Sequence, residues 1–424
     1  MASDNIFEEF KWRDVVFDYT NEADKFLTEN KTTAYIGFDP TAESLHVGSL
    51  LPIMCLARLQ KFGHTPIALV GGGTGMIGDP SGKTAERQLL TLEKIEENIL
   101  GIRNQLSRFL DFDAPNNKAQ ILNNATWLRP ITLMDFLRDI GKHFTTNYMR
   151  SKESVKKREE DGISFTEFSY MLLQGYDFYY LNEKFNCSIQ MGGSDQWGNI
   201  VAGLDLISKK TNNKAFGLTF PLVTSSTGVK FGKTESGTIW LDKNLTSPYK
   251  FYQFWLNTAD DDVIKYLKYF SWLDQAAIAE LEQETKINPD KRIAQKVLAE
   301  EITITVHGED LFNRAKAASQ ILFGGDMNGL TAEEIKDIFS DVPSSKFSFD
   351  EYESKSIGIC DFLAKNQIIP SKAESRRLID SGGIYFNNEK MPLSNAQITR
   401  ENTIEGKYIV VRKGKKSFFL VEIV

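Results

Sequence analysis

The segment from Tyr35 to Leu59 constrains the fold of this chain more than any other. Tyr35-Ile36-Gly37-Phe38 is a short apolar run typical of a buried parallel strand, and from His46 onward apolar residues recur at helical spacing. A strand followed closely by a helix predicts the repeating unit of an α/β domain. The start of this helix, where Gly48 carries no side chain and backbone N–H groups are unpaired, suits a phosphate or another oxyanion.

A second buried strand over residues 65–70 runs into a glycine-rich loop over residues 71–84. The loop glycines fit a dinucleotide-binding spacing, but Pro80 opposes the helix that this pattern requires. Gly82-Lys83-Thr84 resembles the end of a P-loop, but Ile77 stands where that pattern needs a glycine. Both matches are therefore incomplete. The remaining prediction is a ligand-binding loop at the carboxyl end of a strand, as is usual in open α/β sheets.

The predicted helix over residues 164–185 carries polar side chains on an otherwise apolar surface. Tyr170, Gln174 and Asp177 are spaced four and three residues apart, so that they share one helix face. Burying them is costly unless a partner satisfies them, and a small polar aromatic ligand would do so. A strand over residues 187–193 follows, and a helix begins near Asp195. The alternation of strands and helices predicts an α/β fold with a mostly parallel sheet.

Lys230-Phe231-Gly232-Lys233-Thr234, here called the KFGKT segment, lies in a polar loop. Its lysines and threonine can stabilise negative charge that grows on a polyphosphate in a transition state. By itself the segment would be a solvated basic turn.

The C-terminal part differs in composition from the rest of the chain. Residues 248–325 show helical periodicity without strand signals, and residues 326–355 resemble a linker that holds one short helix. Residues 356–424 contain eleven Lys and Arg against seven Asp and Glu, a formal charge of +4 in a chain of net charge −7. This clustered charge predicts RNA contact through basic residues of the tail. They are Lys372, Arg376, Arg377, Arg412, Lys413, Lys415 and Lys416.

Composition excludes several classes of protein. A chain of 424 residues predicts two or three domains, and its net negative charge argues against a general nucleic-acid coat. No long apolar run or signal peptide is apparent, so that no membrane association is expected. The three widely spaced cysteines form no disulfide framework and no zinc pattern, which predicts a cytoplasmic location and no zinc.

The segments together resemble the bacterial-type tyrosyl-tRNA synthetases of class I, over nearly the whole chain. Leu45-His46-Val47-Gly48-Ser49 stands where class I synthetases carry their HIGH signature, and the KFGKT segment matches the tyrosyl form of the KMSKS loop. Gly-Phe-Asp-Pro-Thr comes just before the first of these segments, and Gly-Asp-Pro-Ser-Gly-Lys, Gln-Gly-Tyr-Asp and Gly-Gly-Ser-Asp-Gln lie between the two, in the family's order. The tail is similar to a small RNA-binding module that this family carries.

The resemblance implies a domain organisation. Residues 1–222 would form a Rossmann-like catalytic domain, with an insert at about 128–163 as a possible homodimer interface. Residues 223–247 would hold the KFGKT loop region and residues 248–325 an anticodon-binding helical domain. A linker over 326–355 and a small α+β RNA-binding domain over 356–424 would complete the chain.

The resemblance also implies a reaction and its residues. L-tyrosine would react with ATP, accompanied by Mg²⁺, to form tyrosyl-adenylate and pyrophosphate, and the tyrosyl group would pass to tRNA(Tyr). The residues implied in catalysis are His46, Ser49, Lys83, Arg87, Lys230, Lys233 and Thr234. Those for tyrosine are Tyr35, Asp79, Tyr170, Gln174, Asp177 and Gln190. Those for ATP are Asp39, Thr41, His46, Gly48, Ser49, Asp195, Gln196 and Lys233. No protein-bound metal is implied.

Three alternatives remain at this stage. A tryptophan-specific sister enzyme shares the fold, but the pair Tyr35 and Asp177 disfavours it because an indole N–H can only donate. A non-catalytic RNA-binding homologue stays open because Ser49 replaces a histidine that the family often carries there. A dinucleotide-dependent oxidoreductase is disfavoured by the context of the glycine-rich loop.

Overall fold

A computed structural model describes most of the chain. The described residues are 5–79, 91–152, 155–156, 162–226, 231–234, 237–321, 327, 329–340, 342–352, 355–391, 393–414 and 417–424, and for 233–234 only the backbone is described. They form two compact units. Unit 1 comprises the residues up to Asp242 together with Thr258–Val306, and unit 2 comprises Lys243–Asn257 and His307–Val424.

Unit 1 is built on a six-stranded sheet with strand order β1-β6-β5-β2-β3-β4. Its strands are β1 Asp18–Tyr19, β2 Thr33–Phe38, β3 Thr65–Val70, β4 Gln120–Asn123, β5 Cys187–Gly193 and β6 Phe216–Phe220. All neighbouring strands are parallel except the edge strand β1, which runs antiparallel to β6. The predicted α/β fold with a mostly parallel sheet is therefore confirmed, while β1 was not predicted because two exposed residues give no apolar signal.

Helices alternate with these strands along the chain. They are α1 Ile6–Trp12, α2 Ala23–Glu29, α3 Leu50–Lys61, α4 Leu92–Leu106, α5 Ala125–Leu128, α6 Leu133–Asp139, α7 Thr146–Arg150, α8 Phe165–Phe185 and α9 Trp197–Lys210. The helix α3, which begins after His46, buries nine of its twelve residues. The helix α8 packs against α9 and the sheet, with Phe178 and Leu181 in the core. A two-stranded ribbon, β7 Lys233–Thr234 and β8 Gly237–Thr238, follows β6.

The helical region that the sequence predicts as one domain is divided between the two units. The helix α10 Pro248–Leu256 belongs to unit 2, whereas α11 Asp260–Phe270, α12 Gln275–Ile287 and α13 Ile293–His307 fall in unit 1 up to residue 306. The boundaries at 248 and 325 therefore differ from the division observed. Helical periodicity predicts each helix, but it does not predict against which hydrophobic core the apolar face of that helix packs.

Unit 2 joins helices to the sheet of the tail. Its further elements are α14 Glu309–Ile321, α15 Ala332–Ile338, β9 Ser344–Phe347, β10 Ser356–Gly358, α16 Ile359–Lys365, α17 Lys372–Asp380, β11 Ile384–Phe386, β12 Glu389–Lys390, β13 Gln397–Thr399, β14 Tyr408–Lys413 and β15 Ser417–Ile423. The strand β9 pairs in parallel with β15, so that part of the predicted linker lies in the sheet. One core cluster joins Tyr249 and Phe339 to Val410 and Phe418.

Within the described part of the chain, no helix is both long and apolar enough to cross a membrane.

Candidate active site

The carboxyl ends of β2, β3 and β5 open on a cavity of about 690 Å³. A second cavity of about 320 Å³ shares its wall around His46 and Asp195. The two cavities bring together most of the tyrosine and ATP residues predicted from the sequence. These are Tyr35, Asp39, Thr41, His46, Gly48, Ser49, Asp79, Tyr170, Gln174, Asp177, Asp195 and Gln196.

Val47, which follows His46, lies against Gly232 of the KFGKT segment and against Ile239. Val47 donates its backbone N–H to the carbonyl of Ile239 over 3.0 Å, and Ile239 donates to the carbonyl of Gly232 over 3.0 Å. Gly232 has φ +78°, and a Cβ placed on it would lie 2.6 Å from Cγ2 of Val47. The sequence gives each segment separately, and the tertiary structure places them at one wall of the cavity.

The ring of His46 is held by the backbone of Gly48. Its Nδ1 accepts from the N–H of Gly48 over 2.9 Å, so that a neutral ring carries its proton on Nε2. A Cβ on Gly48 would lie 2.6 Å from Cε1 of His46. The absence of a side chain at Gly48 therefore leaves room for the histidine ring, and Gly48 also lines both cavities.

A buried carboxylate lies at another wall of the cavity. Asp177 accepts from Nε1 of Trp127 over 2.7 Å and from Nδ2 of Asn124 over 2.8 Å. Asn124 also donates to Oγ1 of Thr74 over 2.9 Å and accepts from the N–H of Gly73 over 2.7 Å. Asn124 and Trp127 were missed by sequence reasoning. Their only signal is that they follow β4, at the same sheet edge as the other site residues.

The pKa of Asp177 is raised to about 7, mainly because burial penalises the charged form. The donors Asn124 and Trp127 act in the opposite direction, and the nearby carboxylate of Asp39 raises the pKa further. A buried carboxylate with a strongly shifted pKa inside a cavity is typical of a functional site.

Tyr35 provides a second polar group at this wall. Its side chain is 1% exposed, and its hydroxyl has no hydrogen-bond partner among the described residues. Burial, followed by the charge of Asp177, raises the pKa of Tyr35 well above its ordinary value, so that the hydroxyl stays protonated. A buried hydroxyl without a partner costs free energy that a ligand oxygen could recover.

Gln196 links the remaining polar groups. Its Nε2 donates to Asp79 over 2.9 Å, and its Oε1 accepts from Gln174 over 3.2 Å and from Asn199 over 3.1 Å. Burial raises the pKa of Asp195, and the charge of Asp79 adds to this shift. Burial also raises the pKa of Tyr170, with Asp39 and Asp79 as further causes. The region concentrates carboxylates and suits a ligand cation.

Several predicted site residues do not line the cavities or lie outside the described part of the chain. Gln190 is the register partner of Tyr35 and is buried, but it does not line either cavity. Lys83, Arg87 and Lys230 lie outside the described residues, and of Lys233 and Thr234 only the backbone is described. Among the described residues, no cluster of three or more His, Cys, Asp or Glu could hold a metal ion.

The basic residues of the tail occupy unit 2. Lys372, Arg376 and Arg377 are exposed on α17, and Lys372 pairs with Asp361. Cζ of Arg412 lies 3.8 Å from the ring centroid of Tyr385, and Nζ of Lys413 lies 3.9 Å from Oε1 of Glu374. Lys415 and Lys416 lie outside the described residues.

Comparison with known proteins assigns the chain to a class of enzymes. A family model described as tRNA synthetases class I (W and Y) matches residues 27–324, and a tyrosine–tRNA ligase C-terminal domain model matches residues 334–421. The chain is 52% identical over 421 residues to a tyrosine–tRNA ligase of Roseiflexus castenholzii, covering 99% of both chains. It is 53% identical over 420 residues to that of Geobacillus stearothermophilus, covering 98% of this chain and 99% of the relative.

A comparison with solved structures also finds a tyrosyl-tRNA synthetase. A C-terminally truncated mitochondrial tyrosyl-tRNA synthetase of Aspergillus nidulans matches with a TM-score of 0.68 and 32% identity, over 76% of this chain and 95% of that one. The chain belongs to the tyrosyl-tRNA synthetases of bacterial type, within the class I aminoacyl-tRNA synthetases.

Proposed function

We propose that this chain activates L-tyrosine with ATP and transfers the tyrosyl group to tRNA(Tyr). The observation that carries the proposal is one cavity with two kinds of wall. Tyr35 and Asp177 provide buried polar groups at one wall, and His46 with Phe231 of the KFGKT segment contributes to another. The first wall suits a phenol, and the second suits the phosphates of ATP.

Tyrosine recognition rests on hydrogen bonds to the phenol hydroxyl. Tyr35 would donate to the phenol oxygen, and the phenol O–H would donate to Asp177. An indole N–H could not accept from Tyr35, so that the arrangement favours tyrosine over tryptophan. The carboxylate of Asp79, with Tyr170 and Gln174, would bind the ammonium group.

The chemistry requires positioning and charge stabilisation rather than a protein nucleophile. A carboxylate oxygen of tyrosine attacks the α-phosphorus, a bond to that phosphorus forms, and pyrophosphate leaves with the electrons of the broken P–O bond. A ribose hydroxyl of the tRNA terminus then attacks the acyl carbon, loses its proton and displaces AMP. ATP would enter as its Mg²⁺ complex.

Each remaining site residue has a proposed role in this sequence. His46 would donate from Nε2 to the α-phosphate, assisted by Ser49, and Asp39, Thr41, Gly48, Asp195 and Gln196 would hold the nucleotide. The charge of the departing pyrophosphate would be met by Lys83, Arg87, Lys230, Lys233 and Thr234.

Amino-acid-dependent exchange of pyrophosphate into ATP tests the proposal. We expect exchange with tyrosine and much slower exchange with phenylalanine or tryptophan. Exchange with tryptophan but not with tyrosine would contradict the specificity. Binding of tRNA without exchange for any of the three amino acids would instead favour a non-catalytic RNA-binding homologue.

The raised pKa of Asp177 predicts a pH dependence. Because the phenol donates best to an ionised carboxylate, tyrosine affinity should increase about tenfold from pH 6 to pH 8 as a group of pKa about 7 ionises. Since the folded pKa lies above the unfolded value, the folded state binds more protons, and ligand-free stability should fall as pH rises from about 4 to about 7. Calorimetric titration and thermal melts measure both trends.

Asp177→Asn is the control for these measurements. It removes this ionisation and leaves the other titrating groups in place, so that the difference between its pH profile and that of the native protein isolates Asp177. Identical profiles for both proteins would show that another group causes the dependence.

We also propose a homodimer that works in the cytoplasm. The helix α6 lies in the predicted insert and exposes Leu133, Met134 and Leu137, and Phe165 at the start of α8 is 77% exposed. Several large apolar side chains exposed on one helix are typical of an interaction surface. The three cysteines are buried and unpaired, which suits a reducing compartment.

Met134→Glu should shift the protein towards the monomer, because it would bury a charge in the proposed interface. Sedimentation velocity across a dilution series measures the shift. Leu100→Glu is the matched control, because Leu100 is 62% exposed on α4, outside this surface. An equal shift towards the monomer in both variants, or no shift in either, would contradict the proposed interface.

The tail is proposed to bind tRNA through its exposed basic residues. Replacing Arg376 and Arg377 together by glutamate should weaken tRNA binding and reduce its log–log salt slope by about 2, because two phosphate contacts are lost. Pyrophosphate exchange should stay unchanged. Filter binding at several salt concentrations measures the slope, with Lys25→Glu and Lys214→Glu, both exposed in unit 1, as the control pair. An equal loss in the control pair would indicate a general charge effect.

Substitution is a better test than truncation at residue 356. Removing residues 356–424 would take Val410, Phe418 and Leu420 from the core that they share with Tyr249 and Phe339. It would also leave β9 without its partner β15.

A further inference from the structure

One face of α11 contacts the loop that leads into the KFGKT segment and the segment itself. Asp262, Tyr266 and Phe270 are spaced four residues apart, which places them in one row on the helix. All three are buried in unit 1. We call this row the α11 row.

The first contacts hold the loop before the KFGKT segment. Asp262 accepts from the N–H of Ser226 over 2.9 and 3.1 Å and from its hydroxyl over 2.9 Å. The hydroxyl of Tyr266 donates to the carbonyl of Thr224 over 3.2 Å. Lys265, beside the row, donates to the same carbonyl over 2.8 Å and pairs with Asp262 over 3.3 Å.

The second contacts hold the KFGKT segment. The ring of Phe231 stacks on Phe270 with centroids 5.8 Å apart and an interplanar angle of 11°. The same ring meets Tyr266 edge-on at 5.0 Å. Thr224 and Phe231 both line the larger cavity, so that the row supports part of its wall.

The helix itself is fastened to the helix that follows His46. Arg58 of α3 is 1% exposed and donates from Nη2 to the carbonyl of Ser271 over 2.9 Å. Arg13 of α1 donates to the same carbonyl over 3.2 Å and to that of Lys268 over 2.9 Å. Two guanidinium groups at the carboxyl end of a helix also complement its dipole. The α11 row therefore has a fixed position relative to α3.

We propose that Asp262, Tyr266 and Phe270 are positioning residues for adenylate formation. They fix Thr224, Ser226 and Phe231, and through Phe231 they keep Gly232 against Val47. The proposal rests on the proposed function, since it assigns the KFGKT segment to the ATP reaction. The three residues touch no substrate and act through the position of that segment.

Phe270→Leu and Tyr266→Phe test the proposal in the full-length protein. Phe270→Leu removes the stacking partner of Phe231, and Tyr266→Phe keeps the ring but removes the hydroxyl that donates to the carbonyl of Thr224. Each should slow single-turnover adenylate formation at saturating tyrosine and ATP by about three- to tenfold, the range expected for one aromatic pair or one hydrogen bond. The Kd for tyrosine should stay within twofold of the native value.

Tyr269→Phe is the matched control. Tyr269 is buried on the same helix next to Phe270 but outside the row, and its replacement also removes one hydroxyl. We expect a native rate for it. Equal rates in Tyr266→Phe, Phe270→Leu and this control would overturn the proposal, as would a loss of tyrosine affinity that matches the loss of rate.

A double-mutant cycle keeps the test independent of stability. Phe231→Leu and Phe270→Leu should show non-additive effects on the rate, because both remove the same ring pair. Additive effects would contradict the proposal. If the native protein itself shows no tyrosine-dependent exchange, the proposed function fails, whereas normal native exchange with unaffected row variants refutes only the role of the α11 row.

Discussion

Replacing Asp177 by asparagine is expected to lower kcat/KM for tyrosine in pyrophosphate exchange by about 100-fold or more, because a charge-assisted acceptor for the phenol is lost. The new amide group would also face the donors Asn124 and Trp127, which now bond to the two carboxylate oxygens. The same change should affect phenylalanine much less, since phenylalanine has no hydroxyl to bind. Discrimination between the two amino acids should therefore collapse.

Tyr35→Phe is the companion variant. It removes a buried hydroxyl that has no partner among the described residues, so that the ligand-free protein should become more stable while tyrosine activation falls about tenfold. Exchange with tyrosine and with phenylalanine, together with thermal melts, measures both effects.

If Asp177→Asn lowered exchange with tyrosine and phenylalanine equally, the carboxylate would have a structural role instead of a recognition role.

Gly232→Ala is expected to slow adenylate formation by about 100-fold at saturating substrates. A methyl group there would lie 2.6 Å from Cγ2 of Val47, and the residue has φ +78°, a region that alanine rarely adopts. Both effects should move the KFGKT segment away from His46, so that its charges no longer meet the phosphates. The Kd for tyrosine should stay near the native value, because Tyr35 and Asp177 are unchanged.

Gly237→Ala separates the two effects. Gly237 has φ +114°, but a Cβ on it would meet no atom of the described residues within 4 Å. Its replacement adds backbone strain in the ribbon that follows Gly232 without a contact to Val47, and a much smaller loss of rate is expected. Single-turnover rates that fall equally in both variants would show that strain alone matters and that the contact with Val47 does not.

Local sequence patterns predicted the elements of unit 1 well. The predicted strands over residues 35–38 and 65–70 are apolar runs, and the predicted helix over residues 164–185 is rich in apolar residues. These elements and the strand over residues 187–193 were found close to their predicted places. Such elements can be recognised because their apolar residues lie close together in the sequence. The edge strand β1 gives no such signal, because its two residues are exposed.

The assignment of helices to cores could not be predicted in this way. The apolar face of α11 is visible in the sequence, but Phe270 could have packed in either unit. The structure shows Phe231 against it. The boundary at residue 356 was drawn where composition changes, whereas the core of unit 2 continues across it from Tyr249 to Leu420.

The sequence by itself determined the α/β class, the order of the signature segments and the candidate side chains for binding and reaction, because these depend on residue type and local period. The tertiary structure decided that Gly232 rests on Val47, that Asn124 and Trp127 hold Asp177, and that the α11 row supports Phe231. Such contacts join residues far apart in the chain. Their partners are selected by packing and by the need to satisfy buried polar groups, which no single stretch of sequence records.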